Sequence, residues 1–319
     1  MTERERFIKC LKREPITGRV PTFELVFFLT MESIGKVHPT QRMFAQWDQM
    51  SAREKQCQME DMADCYIQIA EKYHHSAIFV QPNPWDFENI VRILSTIREK
   101  SGDQYYLMLH GDPTFAIPDG AHMMDFTTRL FEEPEACKAE ASASVAHYLH
   151  VAETLATHHP GLLDGFALCS DYCFNVNPFF SPEMFSEFVA PYLSEVLDGY
   201  REMGFYSIKH TDGNIMPILD QIVDCKPDAI HSLDPQGGVD LAEVKRLYGD
   251  RVALVGNVNC GLLQTGTDEE CAADVRRALR EGMPGGGYIF STSNCAYTGL
   301  ALERYEMMNR IWYEEGIYR

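Results

Sequence analysis

Short apolar runs alternate with longer amphipathic stretches along most of the chain. The runs are bounded by turn residues, which is typical of buried strands, and helices between such strands indicate a parallel sheet. We predict eight strands, over residues 20–28, 77–80, 104–110, 166–169, 205–209, 229–231, 252–255 and 288–290.

The amphipathic stretches predict one helix at the N-terminus and a helix after most strands. Ser51, Ser181 and Thr267 are expected to be N-caps, and Pro182 would occupy a first helical position, where proline is favoured. The helices are predicted over residues 2–13, 51–73, 87–100, 134–157, 181–203, 215–223, 241–248, 267–282 and 299–314.

This order of elements predicts an α/β fold, namely a (β/α)8 TIM barrel with an N-terminal helical extension. A doubly wound open sheet is the alternative, and the barrel is favoured because no glycine-rich phosphate-binding loop follows the first strand. Residues 29–50 are expected to form irregular or helical structure that covers the barrel. No linker-like tract divides the sequence, so we expect a single domain over residues 1–319.

Composition narrows the class of protein. The chain is 45% hydrophobic and 24% charged, which is ordinary for a globular enzyme. Its formal charge of −19 would repel nucleic acid and anionic membranes, so we expect neither as a partner. The N-terminus lacks the apolar run of a signal peptide, no apolar stretch is long enough to span a membrane, and the 10 cysteines form no CxxC pair. We therefore expect a cytoplasmic protein. The sequence is compatible with a monomer and with an oligomer.

Polar residues follow several predicted strands, which in a barrel places them at the C-terminal mouth, where active sites form. His210 comes after an apolar strand, and Asp212 follows it before the turn at Gly213. His210 is either a hydrogen-bonded structural histidine or a ligand, and Asp212 either caps the next helix or binds a cation. Asp171 and Asn257 follow two other strands and are candidates for orienting a substrate by hydrogen bonds.

Two further residues have metal-binding chemistry. Cys295 lies in the polar segment Ser-Thr-Ser-Asn-Cys and is interpreted as a zinc ligand or a nucleophile, with a free thiol beside a turn as the alternative. Glu24 is a carboxylate in an otherwise apolar strand, and a buried carboxylate needs a metal or a cationic neighbour. We therefore expect one zinc ion bound by His210, Cys295 and Glu24, with Asp212 as the alternative third ligand.

Five segments resemble the uroporphyrinogen decarboxylase superfamily, and they follow the expected order across almost the whole chain. The segments are RERFIKCLKREPITGRVP (4–21), SPEMFSEFVAPYLSEV (181–196), KHTDGNIMPILDQIVDCKPDAI (209–230), LVGNVNCGLL (254–263) and GGGYIFSTSNC (285–295). The resemblance implies a (β/α)8 barrel, in agreement with the strand count.

Within that superfamily the sequence is more similar to the corrinoid-dependent methyltransferases than to the decarboxylases. The decarboxylases carry an arginine-rich segment near the N-terminus, and residues 19–30 read RVPTFELVFFLT instead. The coenzyme M methyltransferases bind zinc through a His-x-Cys motif and a late cysteine. His210 and Cys295 stand at the first and last of these positions, and Asp212 replaces the middle cysteine. The added oxygen makes a harder Lewis acid, which suits an ether or alcohol oxygen, as in the O-demethylases of the superfamily.

The resemblance thus implies a zinc-dependent methyltransferase that moves a methyl group between a small donor and a corrinoid protein. The donor is expected to be of the methoxylated aromatic or methylamine type. The chain has no D-x-H-x-x-G cobalamin-binding segment, so the corrinoid is expected on a separate partner protein. The alternatives are a tetrapyrrole decarboxylase, with Asp171 or Glu24 stabilising a cationic intermediate, and a non-catalytic binder of a corrinoid or tetrapyrrole.

Overall fold

Seven parallel strands form one sheet that curls into a TIM barrel, which confirms the predicted fold class. The structure is a computed structural model and describes residues 1–318. The strands are β1 (Gly18–Arg19), β2 (Ala77–Phe79), β3 (Tyr106–His110), β4 (Gly165–Leu168), β5 (Tyr206–Thr211), β6 (Ala229–Ser232), β7 (Ala253–Val255), β8 (Tyr288–Ile289) and β9 (Ile317–Tyr318).

Strands β2 to β8 pair in chain order, and β1 pairs with β9 outside the barrel. The predicted first strand, residues 20–28, lies between β8 and β2 but makes only isolated bridges. Thr22 bridges to Phe290, and the carbonyl oxygen of Thr22 accepts from the Ser76 N–H at 2.6 Å on the other side. This segment therefore closes the barrel in the position of an eighth strand, although its pairing is irregular.

Residues 1–318 contain thirteen α-helices, most of which pack around the barrel. Most follow the predicted pattern, and Ser51, Ser181 and Thr267 are N-caps as predicted. The helices are α1 (Glu3–Leu11), α2 (Thr30–Ile34), α3 (Ala52–Tyr73), α4 (Phe87–Ser101), α5 (Met123–Glu132), α6 (Pro134–His158), α7 (Pro182–Phe188), α8 (Ala190–Glu202), α9 (Leu219–Asp224), α10 (Leu241–Tyr248), α11 (Cys260–Thr265), α12 (Asp268–Gly282) and α13 (Leu302–Glu315).

The prediction of one long helix over residues 181–203 is wrong, because this stretch forms two helices, α7 and α8. Val189 separates the two helices and has φ −125° and ψ −55°. Pro191 explains the break, because proline has no N–H for the helical hydrogen bond and its ring crowds the preceding turn.

Helix α1 closes the N-terminal end of the barrel. Its Phe7 packs between Phe23 and Tyr106, with ring centroids 5.6 Å and 4.7 Å away. Phe7 and Leu11 belong to the same buried cluster as the inward-facing side chains of the strands. The opposite, C-terminal end is therefore the open mouth. No helix in residues 1–318 combines the length and the apolar character that crossing a membrane requires.

Strand β5 is longer than predicted and ends at Thr211, so His210 lies within the strand and not after it. Its neighbour β6 runs in register, pairing His210 with His231 and Thr211 with Ser232. The predicted strand end was wrong because the polar side chains interrupt the apolar pattern before the ladder of backbone hydrogen bonds ends. This register determines which side chains meet at the mouth.

Candidate functional site

Asp171, His210 and Asp212 form a group at the mouth of the barrel. Asp171 lies three residues past the end of β4, His210 lies near the end of β5, and Asp212 follows β5. His210 Nε2 is 3.8 Å from Asp171 Oδ1 and 3.7 Å from Asp212 Oδ1. Donor atoms held tetrahedrally about 2.1 Å from one zinc ion are about 3.4 Å apart. The observed spacing therefore needs only small side-chain movements to accommodate a metal ion.

The hydrogen bonds of His231 determine which nitrogen of His210 is free. The Nδ1 atoms of the two rings are 2.8 Å apart, and His231 Nε2 is 3.2 Å from the carbonyl oxygen of Thr292. A carbonyl oxygen can only accept, so this network assigns the proton of His231 to Nε2. Burial lowers the pKa of His231 well below its usual range, so the ring is neutral and its Nδ1 accepts. His210 Nδ1 must then donate, and Nε2 is the ring nitrogen that faces Asp171 and Asp212.

The two carboxylates of the group are fixed in place although they repel each other. Asp212 accepts hydrogen bonds from Ser232 Oγ at 2.7 Å and from Asn294 Nδ2, and Asp171 Oδ1 accepts from the Asp212 N–H at 3.0 Å. Burial raises the pKa of Asp212, the charge of Asp171 raises it further, and His210 opposes both. A bound cation would relieve this repulsion, which is the electrostatic condition expected of a metal site.

A buried ion pair lies behind this group. Lys209 Nζ is 2.7 Å from Asp112 Oδ2 and donates to the carbonyl oxygen of Ser170 at 2.8 Å. The same Asp112 oxygen accepts from the Ser170 N–H at 2.8 Å. Ser170 and Lys209 directly precede Asp171 and His210 in the chain, so the pair fixes the backbone from which both side chains project.

Residues 172–178 form a loop over the turn that follows β5. Gly213 has a φ of +79°, and a Cβ there would lie 2.3 Å from the carbonyl oxygen of Phe174, so glycine is required. The Asn214 N–H donates to the same oxygen at 3.1 Å, and the Asn214 side chain donates to the carbonyl of Val176 at 3.1 Å. Phe174 and Val176 are 43% and 71% exposed. The loop is therefore held against the turn at Gly213 and Asn214, and it carries two exposed apolar side chains.

Glu24 is not part of the group around His210. Within residues 1–318, the set of His, Cys, Asp and Glu side chains whose donor atoms converge contains Asp171, His210 and Asp212. Glu24 is buried and accepts a hydrogen bond from Thr292 Oγ1 at 2.5 Å. Burial raises its pKa to about 8, so Glu24 is mainly a neutral acid at pH 7. Its predicted role as a metal ligand stays a prediction.

The sulfur of Cys295 also lies outside the converging set. Cys295 is partly buried, and it directly follows Asn294, which donates to Asp212. Burial raises the pKa of the Cys295 thiol to about 12, and the neighbouring Cys260 and Glu24 add to this. The thiol is therefore protonated at neutral pH unless a cation binds it, and zinc ligation by Cys295 stays a prediction.

Asn257 hydrogen bonds inside the protein at both ends of its amide. Its Nδ2 donates to the carbonyl oxygen of Leu233 at 2.6 Å, and its Oδ1 accepts from Arg277 at 3.0 Å. Arg277 also donates to the backbone oxygen of Asn257 at 3.0 Å, which connects β7 to α12. These contacts give Asn257 a packing role, and its predicted role in orienting substrate stays a prediction.

Sequence reasoning missed Lys209, which supports the group, and it placed His231 at the mouth without foreseeing its contact with His210. Lys209 did carry a signal, because a lysine in an apolar strand is buried and a buried ammonium must be paired. His231 also follows an apolar run, but its contact with His210 depends on the register of β5 and β6. Local sequence patterns do not determine that register.

The chain matches one family model. The uroporphyrinogen decarboxylase (URO-D) model matches residues 170–313, and this range contains Asp171, His210 and Asp212. None of the curated proteins compared with the chain matches it.

Several solved structures share the fold. A methyltransferase from Methanosarcina mazei is 17% identical, with a TM-score of 0.74, over 98% of this chain and 99% of that chain. GH5_18 from Streptomyces cattleya, solved in complex with GlcNAc, is 12% identical, with a TM-score of 0.51, over 94% of this chain and 82% of that chain. At these identities the likeness shows the barrel fold alone.

Proposed function

We propose that the chain is a methyltransferase of the uroporphyrinogen decarboxylase superfamily. It moves a methyl group between a small donor, of the methoxylated aromatic or methylamine type, and a corrinoid carried by a separate protein. The URO-D match over residues 170–313 and the barrel shared with the Methanosarcina mazei methyltransferase support the proposal. The observation that carries it is the position of His210 Nε2, which lies 3.8 Å from a carboxylate oxygen of Asp171 and 3.7 Å from one of Asp212.

The donor set fits a divalent cation, and we propose zinc. His210 provides one imidazole nitrogen, and Asp171 and Asp212 provide two carboxylate oxygens. Cys295 is a candidate fourth ligand, because it directly follows Asn294, which donates to Asp212. When bound, the cation acts as a Lewis acid on the donor's heteroatom, from which the methyl group is removed. A donor set with more oxygen than sulfur favours an oxygen or nitrogen heteroatom over a thiol.

The protein's own residues bind and orient the donor. In the reaction the bond between heteroatom and methyl carbon would break with its electron pair staying on the heteroatom, and the reduced Co(I) of the corrinoid, as the second substrate, would supply the electron pair of the new bond to the methyl carbon. Asp171 is 46% exposed and can orient a polar group of the donor at the mouth. His231 and Lys209 keep the His210 ring and its backbone in place.

Metal content and methyl transfer test the proposal together. The purified protein is analysed for zinc and then mixed with free cob(I)alamin and a panel of methoxyphenols and methylamines. We expect zinc in the wild-type protein, methylcobalamin formation with at least one donor, and the loss of both in His210→Ala. The control is His158→Ala, because His158 lies at the end of α6, away from the mouth. A folded His210→Ala protein with full zinc content and unchanged transfer would overturn the proposal.

A metal-free decarboxylase is the second candidate. The matched family model carries that name, and Asp171 places a partly exposed carboxylate at the mouth, where it could stabilise a cationic pyrrole. Release of carbon dioxide from a porphyrinogen by chelator-treated protein, without methyl transfer, would favour this candidate.

A further inference from the structure

A cavity of about 320 Å3 lies on the outer side of the barrel, between β3, α4 and α6. Aromatic and aliphatic side chains form most of its wall: Trp85, Phe87, Ile90, Leu109, Tyr148 and Phe166. A dry apolar cavity of about 150 Å3 is enough to bind benzene. The space therefore has room for a substituted aromatic ring.

This cavity is separate from the group around His210. Leu109 and Phe166 belong to the apolar cluster between the strands and the outer helices. Their neighbours Met108 and Ala167 belong to the cluster inside the barrel. The wall formed by β3 and β4 thus separates the cavity from the barrel interior.

The rings at the cavity meet edge to face. The centroid of the His110 ring is 6.5 Å from Trp85 at an interplanar angle of 67°, and 6.2 Å from Tyr148 at 82°. Trp85 is 52% exposed, which is unusual for so large an apolar surface. Edge-to-face geometry is also how an added aromatic ring would contact these walls favourably.

His110 provides a polar group without a protein partner. Its ring nitrogens form no hydrogen bond with any residue of the described range 1–318. Burial lowers the pKa of His110, and the charge of Lys209 lowers it further against the opposing effect of Asp112. The ring is therefore neutral at pH 7, with one nitrogen that donates and one that accepts. A ligand hydroxyl group can pair with either nitrogen.

The charges around the cavity select against an anion. Asp86 lines the cavity together with His110 and His147, and its carboxylate caps α4 by accepting from the Asn89 N–H at 2.9 Å. The chain as a whole carries a formal charge of −19. A carboxylate or phosphate ligand would therefore be repelled where a neutral ligand is not.

We propose that this cavity binds a neutral aromatic ring that carries a hydroxyl group, that is, a ligand of the phenol class. The ring lies against Trp85 and Tyr148, and its hydroxyl group hydrogen bonds with His110. This site does not depend on the proposed methyl transfer, because the barrel wall separates it from His210.

Calorimetric titration of the full chain with phenol, benzoate and cyclohexanol tests the site. We expect phenol to bind with a Kd of about 0.1–1 mM, in line with the efficiency of small ligands. Benzoate should bind more weakly because of its charge, and cyclohexanol because it lacks the aromatic face. The absence of phenol binding, or equal binding of all three compounds, would overturn the proposal.

Two variants locate the bound ring. Val151→Trp fills the cavity and should abolish phenol binding, whereas the matched control Val37→Trp changes a valine that is 40% exposed and does not line the cavity. His110→Leu keeps the apolar volume and should weaken binding about 5- to 10-fold through the lost hydrogen bond. If Val151→Trp does not fold, His110→Leu decides, because unchanged phenol affinity in that variant contradicts the assigned contact. Unchanged binding in folded Val151→Trp places the ring elsewhere.

Discussion

Lys209 and Asp112 form an ion pair across the end of the barrel in which neither side chain has exposed surface, with 2.7 Å between Nζ and Oδ2. The ammonium also lies 4.1 Å from the centre of the Tyr172 ring. The cost of desolvating two charges can exceed their attraction, so such a pair is weak evidence for stability. Its clearer consequence is positional, because both partners hydrogen bond with Ser170, next to Asp171.

Removing one partner of this pair should destabilise the protein strongly. Lys209→Met leaves the carboxylate of Asp112 buried without a counter-charge, and we expect a loss of about 3–5 kcal/mol in the free energy of unfolding. The double variant Lys209→Met/Asp112→Asn should lose less than the sum of the two single variants. Urea unfolding measures all three, with the exposed Lys9→Met as control. A loss as small as that of the control would contradict the role of the pair.

Replacing His231 should remove the hydrogen bond that keeps a proton on His210 Nδ1. His231→Gln retains a donor for the Thr292 carbonyl but removes the acceptor for His210 Nδ1, whereas His231→Asn retains an acceptor near Nδ1. We expect His231→Gln to weaken zinc binding by about 10- to 100-fold, and His231→Asn to weaken it less.

The protonation of His210 Nδ1 can be measured in the metal-free protein. In the metal-free protein, nitrogen NMR of the imidazole groups should show a proton on Nδ1 of His210, and His231→Gln should lower the fraction of His210 rings that carry it. An unprotonated Nδ1 of His210 in the wild-type protein would show that the assigned hydrogen-bond network is wrong.

The barrel was predictable because its signals are local. Each strand is a short apolar run, and each helix has caps such as Ser51 and Thr267 in its own sequence. The segment 20–28 was predicted as a regular strand because its composition is apolar, but it pairs only at isolated positions. Where strand pairing depends on how neighbouring segments close the barrel, composition alone is insufficient.

The candidate site was predictable as a collection of residues and not as an arrangement. The sequence singled out Asp171, His210 and Asp212, but it grouped His210 with Cys295 and Glu24 as ligands. The grouping depends on strand register and on side-chain direction, which change with a shift of one residue. Glu24 illustrates the point, because its carboxyl group meets Thr292 in the barrel wall and not the His210 ring.

Glu24 should make stability depend on pH. Its pKa rises from 4.5 to about 8 in the folded protein, so between these values the folded state holds a proton that the unfolded state has lost. The free energy of unfolding should therefore fall as pH rises through this window, by up to about 1.4 kcal/mol per pH unit. Glu24→Gln cannot ionise, keeps an acceptor for Thr292, and should be the more stable protein at the alkaline end.

Urea unfolding of both proteins between about pH 5 and pH 8 checks this difference. The exposed Glu88→Gln should not change the slope. If Glu24 is instead an ionised metal ligand, Glu24→Gln will lose zinc and will be less stable than the wild-type protein across the whole range.

The ligand set can be tested by comparing Asp212→Asn with Cys295→Ser. Asp212 belongs to the converging group and Cys295 lies beside it, so we expect Asp212→Asn to weaken zinc binding by about tenfold or more and Cys295→Ser to weaken it less. Cobalt(II) substitution adds a direct readout, because a cysteine ligand produces a thiolate-to-cobalt charge-transfer band. The apolar Cys271 serves as control, since Cys271→Ser should change neither quantity. A charge-transfer band that disappears in Cys295→Ser, with zinc affinity falling as far as in Asp212→Asn, would show that Cys295 is a full ligand and that the sulfur moves toward His210 when the metal binds.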